Sequence, residues 1–375
     1  MLKVMTPGPT QVRENVRFAR SMETTNPDLD LDFYDYYKDT CKQIGNILHT
    51  YNSVFIMGGE GILGLEAACA SLTEPGDRIL VIDNGIYGKG FADFVTIYGG
   101  IPTYYTDSYT ASIDITKLEH FLENNHDFKY ATIVHCDTPS GVLNDISKIC
   151  PLLHQYGILT VVDSVSSMFG EYIDVAKHFI DIICGGSQKV LSAPPGLSIL
   201  AVSSDALIAM ENRSIPIASF YANILNFKDY YKNKWFPYTM PISDIYGLKV
   251  AIDNVQTDID IYNRHMRIAN AVRNAVVTSG LELYLESGFS NTVTVIKIPN
   301  AINCQDILSI LKEDYNVLIA GSFGILANKV IRIGHMGENC NIDDVAFTLD
   351  SLTNVFNKLD YPLSFSLKEV FLSSL

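Results

Sequence analysis

The sequence predicts an α/β protein with a large domain built on a mostly parallel central sheet between helices, and a smaller C-terminal α+β domain. Three observations predict it. Between residues 43 and 203, apolar runs of strand length alternate with amphipathic stretches of helix length, the pattern of a parallel sheet covered on both faces. A long helical pattern begins near Ile242, and after it strand and helix signals return in a different, shorter rhythm. The chain has 375 residues, 47% of them hydrophobic and 18% charged, which is enough apolar material for two cores and too much for a disordered chain.

The elements follow in order. MLKVMTPGPTQV reaches a Pro-Gly-Pro turn at once, so no signal peptide is expected. DLDLDFYDYY, acidic and aromatic, is expected to be a solvated helix face. Strands are predicted at VFIM (54–57), RILVID (78–83), YATIVH (130–135), ILTVVD (158–163), DIIC (181–184) and SILAVS (198–203). Helical segments such as GLEAACASL and DISKICPLLHQYG separate most of them. The last two strands lie too close for a crossover helix and are expected as an antiparallel, hairpin-like insertion. From Ile242 to about Ser279, Val250, Val255, Ile259, Ile268 and Val272 recur at helical spacing with no interior proline, predicting one long helix that joins two domains. TVTVIKIP, a helix around Cys304 to Lys312, NVLIAG, KVIRIG and a helix from Ile342 to Phe356 complete the smaller unit. The expected domains are 1–260, with the N-terminal segment, and 261–375.

Composition removes several function classes. Lysine and arginine total 27 against 42 aspartate and glutamate, a net charge of −15 that repels nucleic acid and anionic membrane surfaces, and no basic patch interrupts it. Small anionic substrates remain admissible, because a local pocket can overcome a global field. The seven cysteines are scattered, with no C-x-x-C pair and no zinc spacing, so they read as buried thiols and no metal is expected. No stretch of about 18 apolar residues occurs, and a soluble, cytoplasmic protein is expected.

In an open α/β sheet, ligands bind beyond the carboxyl ends of the strands. VFIM runs into GGEG and a helical stretch, an arrangement that aims backbone N–H groups at an anion, although glycine turns before helices are common without one. Glu60 in that loop would repel a phosphate, so it must point away or cap the helix. RILVID leads to NGIYG, where Tyr87 could stack on a planar ligand or simply pack in its loop. YATIVH leads to the polar turn Cys136-Asp137-Thr138-Pro139-Ser140-Gly141. ILTVVD ends on Asp163, a carboxylate that needs a cation or several donors if buried, or that serves only as a helix cap. DIICGGSQK puts Lys189 among glycines and before Ala193-Pro194-Pro195-Gly196, a setting suited to a Schiff base. Pyridoxal 5′-phosphate accounts for these features together, needing a lysine for its aldehyde, a carboxylate for its pyridine nitrogen, a phosphate cradle and a stacking ring. A dinucleotide fits less well, because G-G-E-G-I-L-G is not G-x-G-x-x-G, and the P-loop ending is absent too.

With these residues in place, the sequence resembles a fold-type I, class V aminotransferase of the alanine-glyoxylate and serine-pyruvate type. The resemblance runs from TPGPT to RIGHMG and is carried by VVDSVSS, GGSQKVLSAPPGLS, NGIYG, LEAACASLTEPGD and KVIRIGHMG, with Lys189 following Asp163 by 26 residues. It implies that Lys189 binds the cofactor aldehyde and then moves the proton, and that Asp163 holds the pyridine nitrogen protonated. Val165 and Tyr87 would cover the two ring faces, and Thr138 would stand beside the phenolic oxygen. Gln188 and the backbone of Gly61 and Ile62 would bind phosphate. WFPYTMP resembles a segment that crosses a dimer interface, so Thr239 is expected at the partner's phosphate in a homodimer. Arg332 would hold the substrate carboxylate. Glu60 and Ile62 depart from the family pattern, and both bear on the pocket.

The resemblance implies transamination of alanine or serine with glyoxylate or pyruvate. Alternatives are 2-aminoethylphosphonate:pyruvate transamination, suggested by NG-x-YG, and a lyase of the cysteine desulfurase kind, for which Cys340 is the available thiol. A non-catalytic binding protein would predict erosion of Lys189, Asp163 or Arg332, and all three are present.

Overall fold

In a computed structural model, which describes residues 2–375, the strands are β1 (Lys3–Val4), β2 (Ser53–Gly58), β3 (Arg78–Asp83), β4 (Ile101–Thr106), β5 (Tyr130–Val134), β6 (Cys136–Asp137), β7 (Val142–Leu143), β8 (Leu159–Asp163), β9 (Ile182–Gly186), β10 (Leu197–Val202), β11 (Val293–Lys297), β12 (Val317–Leu318) and β13 (Val330–Gly334). Seven of them form one sheet in the order β2-β10-β9-β8-β5-β3-β4. From β9 to β4 the pairs are parallel, while β10 is antiparallel to both β9 and β2. The antiparallel hairpin expected from the short connection is present. Rather than an appendage, however, β10 is an interior strand buried along its whole length between β9 and β2. β4, which the sequence reading passed over, is an edge strand with mainly exposed or half-buried side chains, so it lacks a continuous apolar run.

One apolar core lies on the faces of this sheet, and a second gathers Ile268, Val272, Ile307, Leu311, Ile331, Leu349 and Phe356. In the second region β11 pairs with β13, and β1 pairs in parallel with β12, which brings Met5 into the second core.

Two expectations need correction. The pattern from Ile242 to Ser279 is two helices, Ile242–Thr257 and Ile261–Thr278. At the break Asp258 accepts from Arg264 Nη1 at 2.8 Å and Ile259 is 99% exposed, so the side chain that looked like part of the apolar stripe faces solvent. DLDLDFYDYY is not a solvated face: it opens the helix Leu31–Ile47, capped by Asp30, with Phe33, Tyr34 and Tyr37 buried. The aromatic side of the turn packs on Phe236, with 4.7 Å between the Tyr34 and Phe236 rings, and Tyr37 donates to Ile56 O at 2.7 Å. The acidic residues take the other side.

The seven cysteines are free and buried. Among the described residues, no helix is long and apolar enough to cross a membrane, and no group of three or more His, Cys, Asp or Glu side chains is placed to hold a metal.

Candidate active site

The site forms at the carboxyl edge of the sheet. At the end of β2, Gly58 N donates to Tyr238 Oη at 3.0 Å and Gly59 N to Gly196 O at 2.8 Å, fixing the loop that starts the helix Gly61–Leu72. Glu60 caps that helix, its carboxylate accepting from Ile62 N at 3.0 Å and from Gln188 Nε2. Gly61 is small for a packing reason: a Cβ there would stand 2.8 Å from Val165 Cγ2.

Asp163 closes β8, is 6% exposed, and accepts from Val165 N at 2.9 Å. Burial pushes its carboxyl up to about 7, and the Val165 N–H only partly offsets this. Behind it, Ser164, Ser167 and His135 form a chain of hydrogen bonds, with Ser164 Oγ and Ser167 Oγ 2.9 Å apart and Ser167 Oγ 2.9 Å from His135 Nδ1. Burial holds His135 down at about 3, so the chain is neutral and orients the strand end without adding charge.

After β5, Asp137 accepts from Tyr87 N at 2.8 Å and from Ser140 Oγ at 2.6 Å. It thereby fixes the first turn of the helix Ile86–Ile97, which carries Tyr87. Lys189 follows β9, and its Nζ donates to Pro7 O at 2.7 Å. Gly8, with φ +98°, makes room: a Cβ there would stand 2.5 Å from Lys189 Cε and 2.6 Å from its Nζ. Burial pulls the lysine down to about 8, partly opposed by the nearby Asp163 carboxylate, so the neutral, nucleophilic amine is accessible near neutral pH. Arg332, on β13, donates from Nε to Gly321 O at 2.7 Å and from Nη1 to Thr138 O at 3.1 Å. It is 9% exposed, burial lowers its pKa, and Nη2 has no hydrogen-bond partner among the described residues.

These elements line an open-mouthed cavity of about 180 Å³. Of the residues the sequence singled out, Ile62, Tyr87, Thr138, Asp163, Val165 and Lys189 line it. Gly61 lies against Val165, Gln188 against Glu60, and Arg332 adjoins through Thr138. Thr239 is not brought here: it is exposed and donates to Asp28 at 3.1 Å. The Ile62 N–H and the Gln188 amide, expected to be free for phosphate, are engaged by Glu60. Cys340 is 2% exposed, burial pushes its thiol up to about 12, and it is not in the cavity wall, so it does not serve as a desulfurase nucleophile.

Sequence reasoning missed Pro7 and Gly8, which hold the lysine, and Phe91 and Phe94, which line the cavity. The latter had a signal, since Tyr87, Phe91 and Phe94 share one face of a helix at i, i+4 and i+7. The former had none, because a contact across 182 residues leaves no local pattern.

The family model for class V aminotransferases matches residues 15–333. The chain belongs to the class V aminotransferases, transaminases of fold type I that use pyridoxal 5′-phosphate. An uncharacterised aminotransferase of Methanocaldococcus jannaschii is 33% identical over 98% of this chain and 96% of its own. Pyridoxamine–pyruvate transaminase of Mesorhizobium japonicum is 31% identical over 83% of this chain and 80% of its own. Alanine–glyoxylate aminotransferase of Callithrix jacchus is 29% identical over 92% and 85%. Among solved structures, ureidoglycine–glyoxylate aminotransferase of Bacillus subtilis superposes with a TM-score of 0.96 at 25% identity, over 100% of this chain and 98% of its own. Pyridoxamine–pyruvate aminotransferase of Mesorhizobium loti superposes with a TM-score of 0.95 at 29% identity, over 100% and 96%.

Proposed function

We propose that this enzyme moves an amino group between a small neutral amino acid, alanine or serine, and a 2-oxo acid, glyoxylate or pyruvate, acting as a cytoplasmic homodimer with domains 1–260 and 261–375. Arg332 carries the reading. Two carbonyls fix the guanidinium while Nη2 stays uncommitted, which leaves a planar donor pair for one carboxylate. The cavity wall beside it is largely apolar, with Leu65, Phe91 and Phe94, and Lys189 is the only cation of that wall among the described residues. A second carboxylate, as in aspartate or glutamate, has no partner there. The named relatives act with glyoxylate or pyruvate, which supports the choice of 2-oxo acid.

The residues fit the ring of pyridoxal phosphate. Asp163 has one hydrogen bond and unused acceptor capacity, so a protonated ring nitrogen supplies the cation that its burial lacks. Val165 and Tyr87 would cover the ring faces, Thr138 would stand beside the ring oxygen, and Gly61, Ile62 and Gln188 would surround the phosphate end, where Glu60 also lies. When bound, the cofactor supplies an electron sink. Arg332 orients the substrate carboxylate, Lys189 Nζ carries a proton between the substrate α-carbon and the cofactor C4′, and the aromatic wall keeps water out.

For the dimer, the exposed Phe220, Tyr221, Trp235 and Leu29 lie in or near the segments that carry Thr239 and Asp28, offering apolar surface for a partner. Stopped-flow spectra of the half-reaction with alanine, serine, aspartate, glutamate and 2-aminoethylphosphonate test the substrate. Alanine or serine should react fastest, and a faster glutamate or phosphonate overturns the choice. Mixing Lys189→Ala with Thr239→Arg chains should restore activity through heterodimers, and no restoration means that sites are built within single chains.

A further inference from the structure

The phosphate end of the cavity holds a carboxylate. Glu60 Oε2 accepts from Ile62 N at 3.0 Å and Oε1 accepts from Gln188 Nε2, so two donors that a phosphate would use are taken. The loop bearing it is pinned: Ser198 Oγ donates toward Glu60 O at 2.7 Å and lies 2.9 Å from Gly59 O. Gln188 keeps its amide turned to donate even though its Oε1 is then buried without a partner. The opposite orientation would set a carbonyl oxygen against the carboxylate.

The charge around this end is wrong for a phosphate ester. The charged side chains in the cavity wall are Glu60, Asp163 and Lys189, and the lysine is committed to the cofactor aldehyde. Thr239, which the family resemblance brings from a partner, would add a hydroxyl and no cation. A phosphate monoester carries about two negative charges at pH 7, and here it would meet a third. A hydroxymethyl group in the same place would instead donate its O–H to the Glu60 carboxylate in a charge-assisted hydrogen bond.

We propose that Glu60 selects at this end for the neutral 5′-hydroxymethyl group, so that unphosphorylated pyridoxamine enters as an amino donor and leaves as pyridoxal. This rests on the transaminase reading above and keeps its 2-oxo acid and its small amino acid, with pyridoxamine as the donor and the amino acid as the product. The exchange balances as pyridoxamine plus 2-oxo acid giving pyridoxal plus amino acid. The C4′–N bond breaks and the Cα–N bond forms, C4′ is oxidised from amine to aldehyde as the 2-oxo carbon is reduced to the amine, and Lys189 Nζ carries the proton from C4′ to Cα. Without a phosphate anchor the ring is held by Asp163, its stacking contacts and a lysine bond that opens in every transfer, so the product is free to depart.

The test begins with purified protein stripped of vitamin B6 and titrated with pyridoxal or pyridoxal 5′-phosphate, following the absorbance of the lysine-bound ring. The unmodified chain should take up pyridoxal more tightly than the phosphate ester by about tenfold or more, and the isosteric Glu60→Gln should reverse that order by removing the charge. With pyridoxamine and pyruvate, the unmodified chain should form alanine in large molar excess over enzyme. Tighter binding of the phosphate ester by the unmodified chain, with no release of pyridoxal, overturns the inference even if Glu60→Gln fails to fold. If that phosphate-loaded enzyme still transaminates alanine with glyoxylate, the reading of the previous subsection survives the loss. If neither compound is captured in a way that Lys189→Ala abolishes, both fall.

Discussion

Replacing Asp163 by asparagine should move the stability of the cofactor-free protein and its activity in opposite directions. The carboxylate is buried with a single hydrogen bond from Val165 N, and burial moves it from its ordinary 3.8 to about 7. That displacement corresponds to a penalty on the order of 4 kcal/mol for holding the ionised form in the folded, cofactor-free chain. A raised carboxyl pKa means that the native state binds more protons than the unfolded state. The penalty is therefore absent below about pH 4, grows up to about pH 7, and is complete above it. Asp163→Asn keeps an acceptor for Val165 N and removes the charge, so after the cost of burying an amide the cofactor-free variant should gain roughly 1 to 3 kcal/mol at pH 8. With the cofactor bound, the neutral amide loses a charge-assisted hydrogen bond worth roughly 1.5 to 3 kcal/mol. Because the electron sink depends on that proton, turnover should fall by more than the corresponding tenfold to hundredfold. Thermal unfolding of both cofactor-free proteins between pH 4 and 8, with kcat at pH 8, checks the pair of effects. A variant that is no more stable at pH 8 than at pH 4 relative to the unmodified chain, or that turns over normally, refutes the placement of Asp163 as an uncompensated carboxylate facing the ring.

Three further outcomes are expected. Arg332→Lys keeps the charge but cannot satisfy both Gly321 O and Thr138 O while presenting two donors, so KM for alanine should rise by about 10- to 100-fold; covalent cofactor capture, read by absorbance, should not change. Gly8→Ala puts a methyl group 2.6 Å from Lys189 Nζ at φ +98°; it should cost about 1–2 kcal/mol in thermal unfolding and slow cofactor capture by about a hundredfold. Since burial sets Lys189 near 8, the rate of capture should rise with pH and flatten above about pH 8, and borohydride should fix the label on Lys189; a rate that keeps rising to pH 10, or a label on another lysine, contradicts its assignment.

Much of this protein was legible without coordinates. Six sheet strands announced themselves because strands buried on both faces must be continuously apolar, and the chemistry could be located because ligands gather where such runs end, at Asp163, Thr138 and Lys189. β4 was not legible, since an edge strand with little burial carries no apolar run. The break at residues 258–260 was hidden because Ile259 kept the helical period while facing solvent. DLDLDFYDYY misled because composition records how acidic a segment is, not which side of its helix the aromatic residues take.

The sequence by itself determined which groups are present: a lysine and a carboxylate just after or at the end of apolar strands and an arginine within a later one, in an order that fits a single family. Their relation was decided only by tertiary structure. Pro7 holding Lys189, Thr138 O holding Arg332, and Glu60 spanning Ile62 and Gln188 join residues distant in sequence. Such contacts leave no periodic trace, because hydrogen bonds between elements are set by how the sheet brings its strand ends together. The sequence could say that Glu60 must cap the helix or turn away. The fold decided that it caps, and with that it placed a carboxylate at the end of the cavity where the family resemblance led one to expect phosphate.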